Sequence, residues 1–555
     1  MKRFTFLAAI AFAVSMTANA QVWEDDLKTV DSADDYVRSA PMTMDENGNT
    51  IVTGRYSLQD NLQFGLYTFT GVTANDAFIG KYDSKGLKQW VAGINGNAVI
   101  TAVTTDEEGN IYAAGKFAAE AKVCGTSGEA QTITDGDATN TSRTSSFIVK
   151  YDKDGVVKSV KTLIPAKDTS FFNDNPDLWD TMEPNVTISN IQADGDKVYF
   201  SLTYKGNVTM DGTTFEGHYA NAWGMLIQDL STAAIVSVDA NELGSPSVVA
   251  SLGAVDKVSY DVSYQPEDVC FTVDNGVVYA GFTGEGSLAL TTAAGTENIS
   301  LTYGEEAQEH AFIFARIEGD KTLAKTYNTT ATTNINILNS IGSMRMHHGK
   351  LLVAGTFNVE GLFDGLEFKG GCDLFAASLN PSDLTLNTAK ASGYDEGDAK
   401  KNAEVFTTMF SDGEELYVVG YAETTADNVY TAPLGYTIDP TTCEFTDKKS
   451  EVYLTASAEN DDYLTCQYDD DRVTNSYTCT AKSTEDGINE VADNGQAIER
   501  KGDEITASAA TDFAVYAADG ALVKTAKASS SISLAGLGKG VYVVKAGQKT
   551  VKVSK

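Results

Sequence analysis

Asp106-Glu107-Glu108-Gly109-Asn110-Ile111-Tyr112-Ala113-Ala114-Gly115-Lys116-Phe117 is the stretch that decides the fold. An acidic turn through Gly109 and Asn110 leads into a short apolar run that ends on Gly and an aromatic. Turn residues that bound five to seven apolar or alternating residues read as a hairpin and its second strand. The phrase recurs. Its first copy is Asp45-Glu46-Asn47-Gly48-Asn49-Thr50-Ile51-Val52-Thr53-Gly54-Arg55-Tyr56. A weaker third is Asp194-Gly195-Asp196-Lys197-Val198-Tyr199-Phe200 running to Tyr204, without the Gly. The fourth spans Asp274 to Phe282, the fifth His348 to Phe357 without the acid, and the sixth Asp412 to Tyr421.

A second phrase follows each copy after a variable insert. Its best forms are Asp76-Ala77-Phe78-Ile79-Gly80-Lys81-Tyr82-Asp83-Ser84-Lys85-Gly86 and Ser146-Phe147-Ile148-Val149-Lys150-Tyr151-Asp152-Lys153-Asp154-Gly155. Later forms are read at Ala222–Ile227, Ala311–Arg316, Asp373–Ser378 and Leu434–Asp439. Each unit then holds four strands: one before the acidic turn, one after it, the second phrase, and one beyond its Asp-x-x-Gly turn. Val156-Val157-Lys158-Ser159-Val160 is such a fourth strand. A four-stranded meander cannot bury both faces alone, so neighbouring units must stack around an axis. The fold class is therefore all-β, a β-propeller. The Gly anchors at 54 and 420 give a mean spacing of about 73 residues, against ~40–50 in compact propeller repeats. The excess lies between second and third strands, which predicts long loops projecting from one face.

Six repeats are visible. Three more short strands are expected near Val452–Ala456, Tyr463–Tyr468 and Ser476–Ala481, and Val22-Trp23-Glu24-Asp25-Asp26-Leu27 stands where a fourth belongs. The two ends jointly offer a seventh, closing blade that would remove the ring's edges. The paired phrases resemble the bacterial propeller repeat family abbreviated SBBP, over residues 39–440. That resemblance implies a propeller and no single activity.

The flanking segments differ in kind. Met1-Lys2-Arg3, the apolar run Phe4–Val14 and Ala18-Asn19-Ala20 read as a Sec signal peptide over residues 1–20. The run is too short for a membrane span of ~20 residues, and no later transmembrane segment is expected. Residues 21–482 form the propeller and 483–487 a linker. Residues 488–555 read as a small C-terminal β-sandwich of alternating strands. This last domain resembles the C-terminal sorting domain of type IX secretion cargo. The match rests on Val515-Tyr516-Ala517-Ala518-Asp519-Gly520, on Leu537 to Val544 with Gly540 and Tyr542, and on Lys549 to Lys555 with Lys552. The resemblance implies the type IX machinery as partner and a cell-surface or extracellular address.

Charge sorts the partners. The chain of 555 residues carries 41 Lys or Arg against 77 Asp or Glu, a net −36. Without residues 1–20 the net is −38, of which the propeller and linker hold −40 and residues 488–555 hold +2. Phosphate-rich partners attract Lys and Arg, so nucleic acid is excluded as the main partner. With 42% hydrophobic residues, 24 Phe and 25 Tyr the chain can build a large core.

Catalytic signatures are absent from the sequence: no HExxH, no GxSxG elbow and no Walker loop. Asp83-x-x-Gly86-x-x-x-Trp90 is similar to the turn motifs of sialidase and quinoprotein propellers. The first motif is one residue shorter and the second repeats its Trp in blade after blade, so Trp90 reads as packing between blades. His347 and His348 are adjacent and on a strand would face opposite sides. No cofactor is expected beyond Ca²⁺ at acidic turns, with Asp152 and Asp154, or Asn173 to Asp177, as candidate ligands. Six cysteines lie in the exported part. Cys466 and Cys479 are the pair placed to bond, or all six are buried thiols. The inserts 164–186 and 290–310 carry Phe171, Phe172, Trp179 and Tyr303, suited either to ligand stacking or to loop packing. The expectation is a secreted or surface, non-catalytic, monomeric propeller that binds a protein or glycan through its loop face. The alternatives are a glycan-active hydrolase or lyase and a structural envelope component.

Overall fold

The computed structural model describes residues 21–24, 41–56, 61–64, 67–70, 76–84, 86–136, 144–167, 179–222, 226–256, 258–259, 269–302, 308–331, 339–359, 361–364, 366, 372–392, 402–411, 415–424, 429–447, 453–460, 463–469, 475–481, 498–501, 504–517, 522–537, 541–546 and 549–554. The signal segment 1–20, the linker 483–487, Asn173–Asp177, Phe171, Phe172, Tyr303, Asp519, Gly520, Gly540 and Lys555 lie outside the described residues. Every regular element among the described residues is a strand. The chain divides into two compact units, Met1–Lys482 and Ser483–Lys555.

The first unit is a propeller with seven four-stranded blades among the described residues. Blade 1 is Met42–Met44, Thr50–Tyr56, Asp76–Tyr82 and Lys88–Asn95. Blade 2 is Ala98–Thr105, Ile111–Phe117, Ser145–Tyr151 and Val157–Ala166. Blade 3 is Asn185–Asp194, Lys197–Lys205, Thr232–Asp239 and Ser247–Ala254. Blade 4 is Val269–Asp274, Val277–Glu285, Gln308–Glu318 and Lys321–Ala331. Blade 5 is Ser340–His347, Lys350–Phe357, Asp373–Leu379 and Leu386–Ala391. Blade 6 is Asn402–Ser411, Leu416–Thr424, Val429–Ile438 and Phe445–Asp447. Blade 7 is Tyr453–Glu459, Tyr463–Asp469, Asn475–Ala481 and, from the opposite end of the chain, Gln21–Glu24. Trp23 lies opposite Tyr477 in that last antiparallel pair. First strands of consecutive blades touch in order, and that of blade 7 touches that of blade 1, so the ring closes. The two chain ends complete one blade, as the sequence implies.

The core lies between blades rather than within them. One cluster joins Ile51, Ile79 and Trp90 of blade 1 to Val103, Phe147 and Tyr151 of blade 2. Another joins Phe312 and Phe314 of blade 4 to Val353 and Phe375 of blade 5. Phe147, Phe312 and Phe375 are fully buried, and each such side chain is worth ~1.5–3 kcal/mol on leaving water. A blade alone would expose that surface.

The repeated Gly has a geometric cause. The first strand of blade 2 bulges between Ile100 and Ala102, opposite Gly115. A Cβ on Gly115 would sit 2.2 Å from the Val99 carbonyl oxygen. Blades 5 and 6 repeat the arrangement, with Gly355 facing the Ser340 carbonyl at 2.0 Å and Gly420 facing that of Val405 at 2.2 Å. Bulges bend a strand and push one carbonyl toward its neighbour. Blade 3 keeps the bulge, between Ile188 and Asn190, but places Leu202 opposite it. In this blade the bulge accepts a side chain, and the third repeat therefore carries no Gly to mark it.

Two sequence expectations change. The third second-phrase is not 222–227. Thr232–Asp239 pairs with Lys197–Lys205 along its whole length, and Thr232 through Val238 is buried. Leu226–Leu230 instead joins an accessory sheet with Trp179–Asp180, His218–Ala222 and Val258–Ser259. Nor are the inserts all projecting loops. The hairpins Glu120–Val123/Gln131–Thr134, Asn207–Met210/Thr213–Phe215 and Ser287–Thr292/Gly295–Ser300 extend the outer edges of blades 1, 2 and 3. Each comes from the insert of the following blade. Covering an unpaired edge satisfies its backbone groups, so the excess length latches consecutive blades together. Cys466 lies opposite Thr478 and Cys479 opposite Thr465. The backbone register thus sets the two positions one residue out of phase. Cys466 is buried.

The second unit is all-β. Glu504–Ala517 pairs with Ile498–Lys501, Leu522–Ser533 and Val541–Ala546, and the last of these pairs with Lys549–Ser554. These strands are hydrogen-bonded into one connected five-stranded sheet. Ile505, Phe513, Val515, Ile532, Leu534, Tyr542 and Val544 make its core.

Candidate functional site: a polar cleft between blades 1 and 2

In an antiparallel meander the first and third turns fall at one end of the blade and the insert at the other. The short acidic turns therefore share a face. On that face blades 1 and 2 enclose a cleft of about 480 Å³, lined by Asp45, Asn47, Asn49, Lys81, Gln89, Glu108, Thr126, Lys153 and Asp154, with Trp90 at its back. Thr126 arrives from the blade 2 insert. Its N–H donates to the Gly155 carbonyl at 2.9 Å and its hydroxyl to the Asp154 carbonyl at 2.9 Å.

The floor is an ion pair. Lys81 Nζ lies 2.8 Å from Asp45 Oδ2, with both side chains more than nine-tenths buried. Asp45 Oδ1 also accepts the N–H groups of Asn47 and Asn49 at 2.9 Å, and Oδ2 accepts the Asn49 amide at 2.8 Å. Burial alone would raise the Asp45 carboxyl. The Lys81 and Asn49 hydrogen bonds outweigh it and hold Asp45 below the usual carboxylate range. This acid stays charged and is fully occupied. Above it, Asn47, Gln89, Glu108, Lys153 and Asp154 are exposed. The cleft thus offers amides, carboxylates and an ammonium around a fixed floor, a set that can hydrogen-bond hydroxyl-rich ligands.

The remaining polar residues of the repeat serve as staples. Trp90 Nε1 and Lys81 Nζ, in blade 1, both donate to the Lys153 carbonyl on the third turn of blade 2, at 3.1 and 3.5 Å. Tyr112 and Lys150, in blade 2, donate to the Ala240 carbonyl of blade 3 at 2.9 and 2.8 Å. Tyr327 reaches the Leu384 carbonyl of blade 5 at 2.7 Å, and Lys350 reaches Thr441 of blade 6 at 3.0 Å. Trp90 therefore packs between blades, as its sequence context implies, with its ring 6.3 Å from that of Tyr151. Across the centre, Arg345 of blade 5 pairs with Glu459 of blade 7, and Glu459 accepts the Ser411 N–H of blade 6 at 3.0 Å.

Three buried ionisable groups went unnoticed in the sequence. Glu404 lies near the start of the first strand of blade 6. Its Oε2 accepts the Leu374 N–H at 2.7 Å and the Ser392 hydroxyl, and its Oε1 accepts from Tyr436 at 3.3 Å. Burial pushes its carboxyl up to about 7 despite those bonds. Burial likewise pushes Asp229 up to about 6 and His310 down to about 4. Nothing in the local sequence marks these residues among 77 acids and four His.

The candidate Ca²⁺ ligands Asp152 and Asp154 share one turn. Asp152 Oδ1 accepts the N–H groups of Asp154 and Val156 at 3.0 and 2.9 Å, and Oδ2 pairs with Lys158 at 2.9 Å. Both oxygens are thereby engaged, and Asp154 faces the cleft instead. Among the described residues no three His, Cys, Asp or Glu converge as a metal site. His347 and His348 behave differently from two strand residues. His348 has a φ of 46° in the turn, and the two rings meet at 4.2 Å. Tyr542 is buried in the C-terminal core, and Lys552 pairs with Val543 in the last strand. Trp179 opens a two-residue strand parallel to Leu226–Leu230. Among the described residues no helix is long and apolar enough to cross a membrane.

No family model and no curated protein matches the chain. Among solved structures, it is similar to the β-propeller domain of the trilobed protease from Pyrococcus furiosus, at 9% identity, over 86% of this chain and 100% of that one, with a TM-score of 0.36. It is also similar to the polysaccharide lyase Uly1, at 9% identity, over 84% and 98% of the two chains, with a TM-score of 0.40. A third is the Dos1 propeller, at 10% identity, over 82% and 94%, with a TM-score of 0.33. Likenesses this loose bear on the fold only, and the strand pairing above already shows the propeller.

Proposed function

We propose that this chain is a secreted or cell-surface, non-catalytic, monomeric propeller that binds a glycan or protein. It would be exported through a Sec signal at residues 1–20 and sorted by its C-terminal unit in the manner of type IX cargo. The observation that carries the binding reading is the cleft between blades 1 and 2. Its volume of about 480 Å³ lies within the ~300–1,000 Å³ of ordinary ligand pockets. Its deepest carboxylate is locked by Lys81 and is not available for proton transfer. Its rim consists of exposed amides and charges suited to vicinal hydroxyls, which makes a glycan the favoured ligand. This moves the expected site from the insert face to the tight-turn face.

A glycan array on the mature chain, beside a panel of hydrolase and lyase substrates, tests the reading. Binding that weakens in Gln89→Ala and Asn47→Ala supports it. Turnover abolished by Glu404→Gln would sink it in favour of a glycan-active enzyme, since Glu404 is the buried carboxyl held nearest to neutral pH. Unchanged export after removal of residues 488–555 would refute the sorting role.

A further inference from the structure

The insert of blade 3 holds a small sheet that the propeller does not require. His218–Ala222 and Leu226–Leu230 pair antiparallel, with Tyr219 opposite Asp229 and Asn221 opposite Ile227. These four residues therefore share one face. Met182 closes over that face against Tyr219 and Ile227. Thr181, just before it, donates both its N–H and its hydroxyl to the Ile227 carbonyl, at 3.0 and 2.7 Å.

Two polar side chains on this face, Asp229 and the half-buried Asn221, carry buried oxygens that no described residue satisfies. Asp229 is 6% exposed. Neither of its carboxylate oxygens has a hydrogen-bond partner, and neither has Asn221 Oδ1. The Glu183 backbone favours the charged carboxylate without reaching hydrogen-bond geometry. The charges that face Asp229 are Lys205, Lys167 and Asp180. Lys167 is already spent on Asp180, at 2.7 Å. Buried polar groups find partners in the great majority of cases, and an unpaired buried carboxylate is costly. Here three buried acceptor oxygens face the same side of one sheet, and no donor among the described residues reaches hydrogen-bond geometry with them. Acceptors without donors are the signature of a cation.

We propose that Asp229 and Asn221 bind a hard cation of the Ca²⁺ class beneath the Met182 cover. The carboxylate supplies the charge and the Asn221 amide oxygen a neutral ligand. Backbone carbonyls and water would complete a shell of roughly six to eight oxygens. The ion would tie the accessory sheet to the chain between blades 2 and 3. This site is separate from the Asp152 turn, whose carboxylate is already occupied.

The test uses the mature full-length chain, with Tb³⁺ luminescence and thermal melting in Ca²⁺ or EGTA. A surface this acidic attracts cations weakly everywhere, so the comparison between variants decides. Wild type should bind one Tb³⁺ tightly, displaced by Ca²⁺, and should melt lower in EGTA. Asp229→Asn keeps the shape and should lose more than about tenfold in Tb³⁺ affinity, at least the loss that outer-shell changes alone produce. It should also melt at the same temperature with and without Ca²⁺. Asn221→Ala keeps the carboxylate and should weaken Tb³⁺ binding while still folding. Wild type without a one-to-one tight site would overturn the proposal and leave a bridging water as the filler. So would equal Tb³⁺ affinity in all three proteins.

Discussion

Replacing Glu404 by Gln should abolish a pH dependence built into the seam between blades 5 and 6. The Glu404 side chain is 2% exposed and is wrapped by Leu374 and Ser392 of blade 5 and Tyr436 of its own blade. Its carboxyl is raised from the ordinary 4.5 to about 7, first by burial. The folded protein therefore keeps a proton that the unfolded chain releases. That contribution is fully present below about 4.5 and is lost as pH rises through about 7. The gap corresponds to ~3 kcal/mol, a large share of a typical net stability of ~5–15 kcal/mol. Glu404→Gln preserves shape and acceptor oxygen but cannot ionise. Urea unfolding at a series of pH values measures the difference between variant and wild type. That difference should move in favour of the variant by ~3 kcal/mol between pH 4.5 and pH 8. Asp229 and His310 also titrate in this range, with opposite signs. They are present in both proteins and cancel in the comparison. A difference that stays flat with pH would refute the reasoning, because it would mean that Glu404 ionises in its buried site at little cost.

Other outcomes follow from the same geometry. Lys81→Met leaves the Asp45 carboxylate buried without its cation and should cost ~3–5 kcal/mol, seen as a fall in urea midpoint with unchanged m-value. Gly115→Ala forces a Cβ to within 2.2 Å of the Val99 carbonyl and should destabilise by ~1–3 kcal/mol. The reverse change at the matching position of blade 3, Leu202→Gly, removes a fully buried side chain and should also destabilise, which separates the local steric rule from a general preference for Gly. Deleting Gln21–Glu24 leaves the Asn475–Ala481 edge of blade 7 unpaired. The melting temperature should fall, and light scattering should reveal self-association through that edge.

Much of the scaffold can be read locally. The acidic turns, the apolar runs and the Gly-aromatic endings each mark a strand or its boundary, and their recurrence points to stacked blades. The ends of the chain share a residual pattern that fits one more blade, which Gln21–Glu24 and Tyr453–Ala481 supply. Reading fails where a tertiary partner replaces a local signal. Blade 3 carries Leu202 in place of Gly and takes its third strand from Thr232–Asp239, because pairing with Lys197–Lys205 outweighs the resemblance of 222–227 to the phrase. The inserts look like loops because their partners are the outer strands of the preceding blade, far away in sequence.

The sequence by itself determined the strands, the ring and the strongly acidic surface, since turn chemistry, period-two patterning and charge are properties of neighbouring residues. Only the tertiary structure decided what the polar residues do. Asp45 and Lys81 are 36 positions apart, Lys150 and Ala240 are 90 apart, and Glu404 and Leu374 are 30 apart. Whether a charge is a staple, a cleft wall or a buried titrating group depends on the water removed around it and the donors brought to it. Those are set by which blades the ring makes adjacent.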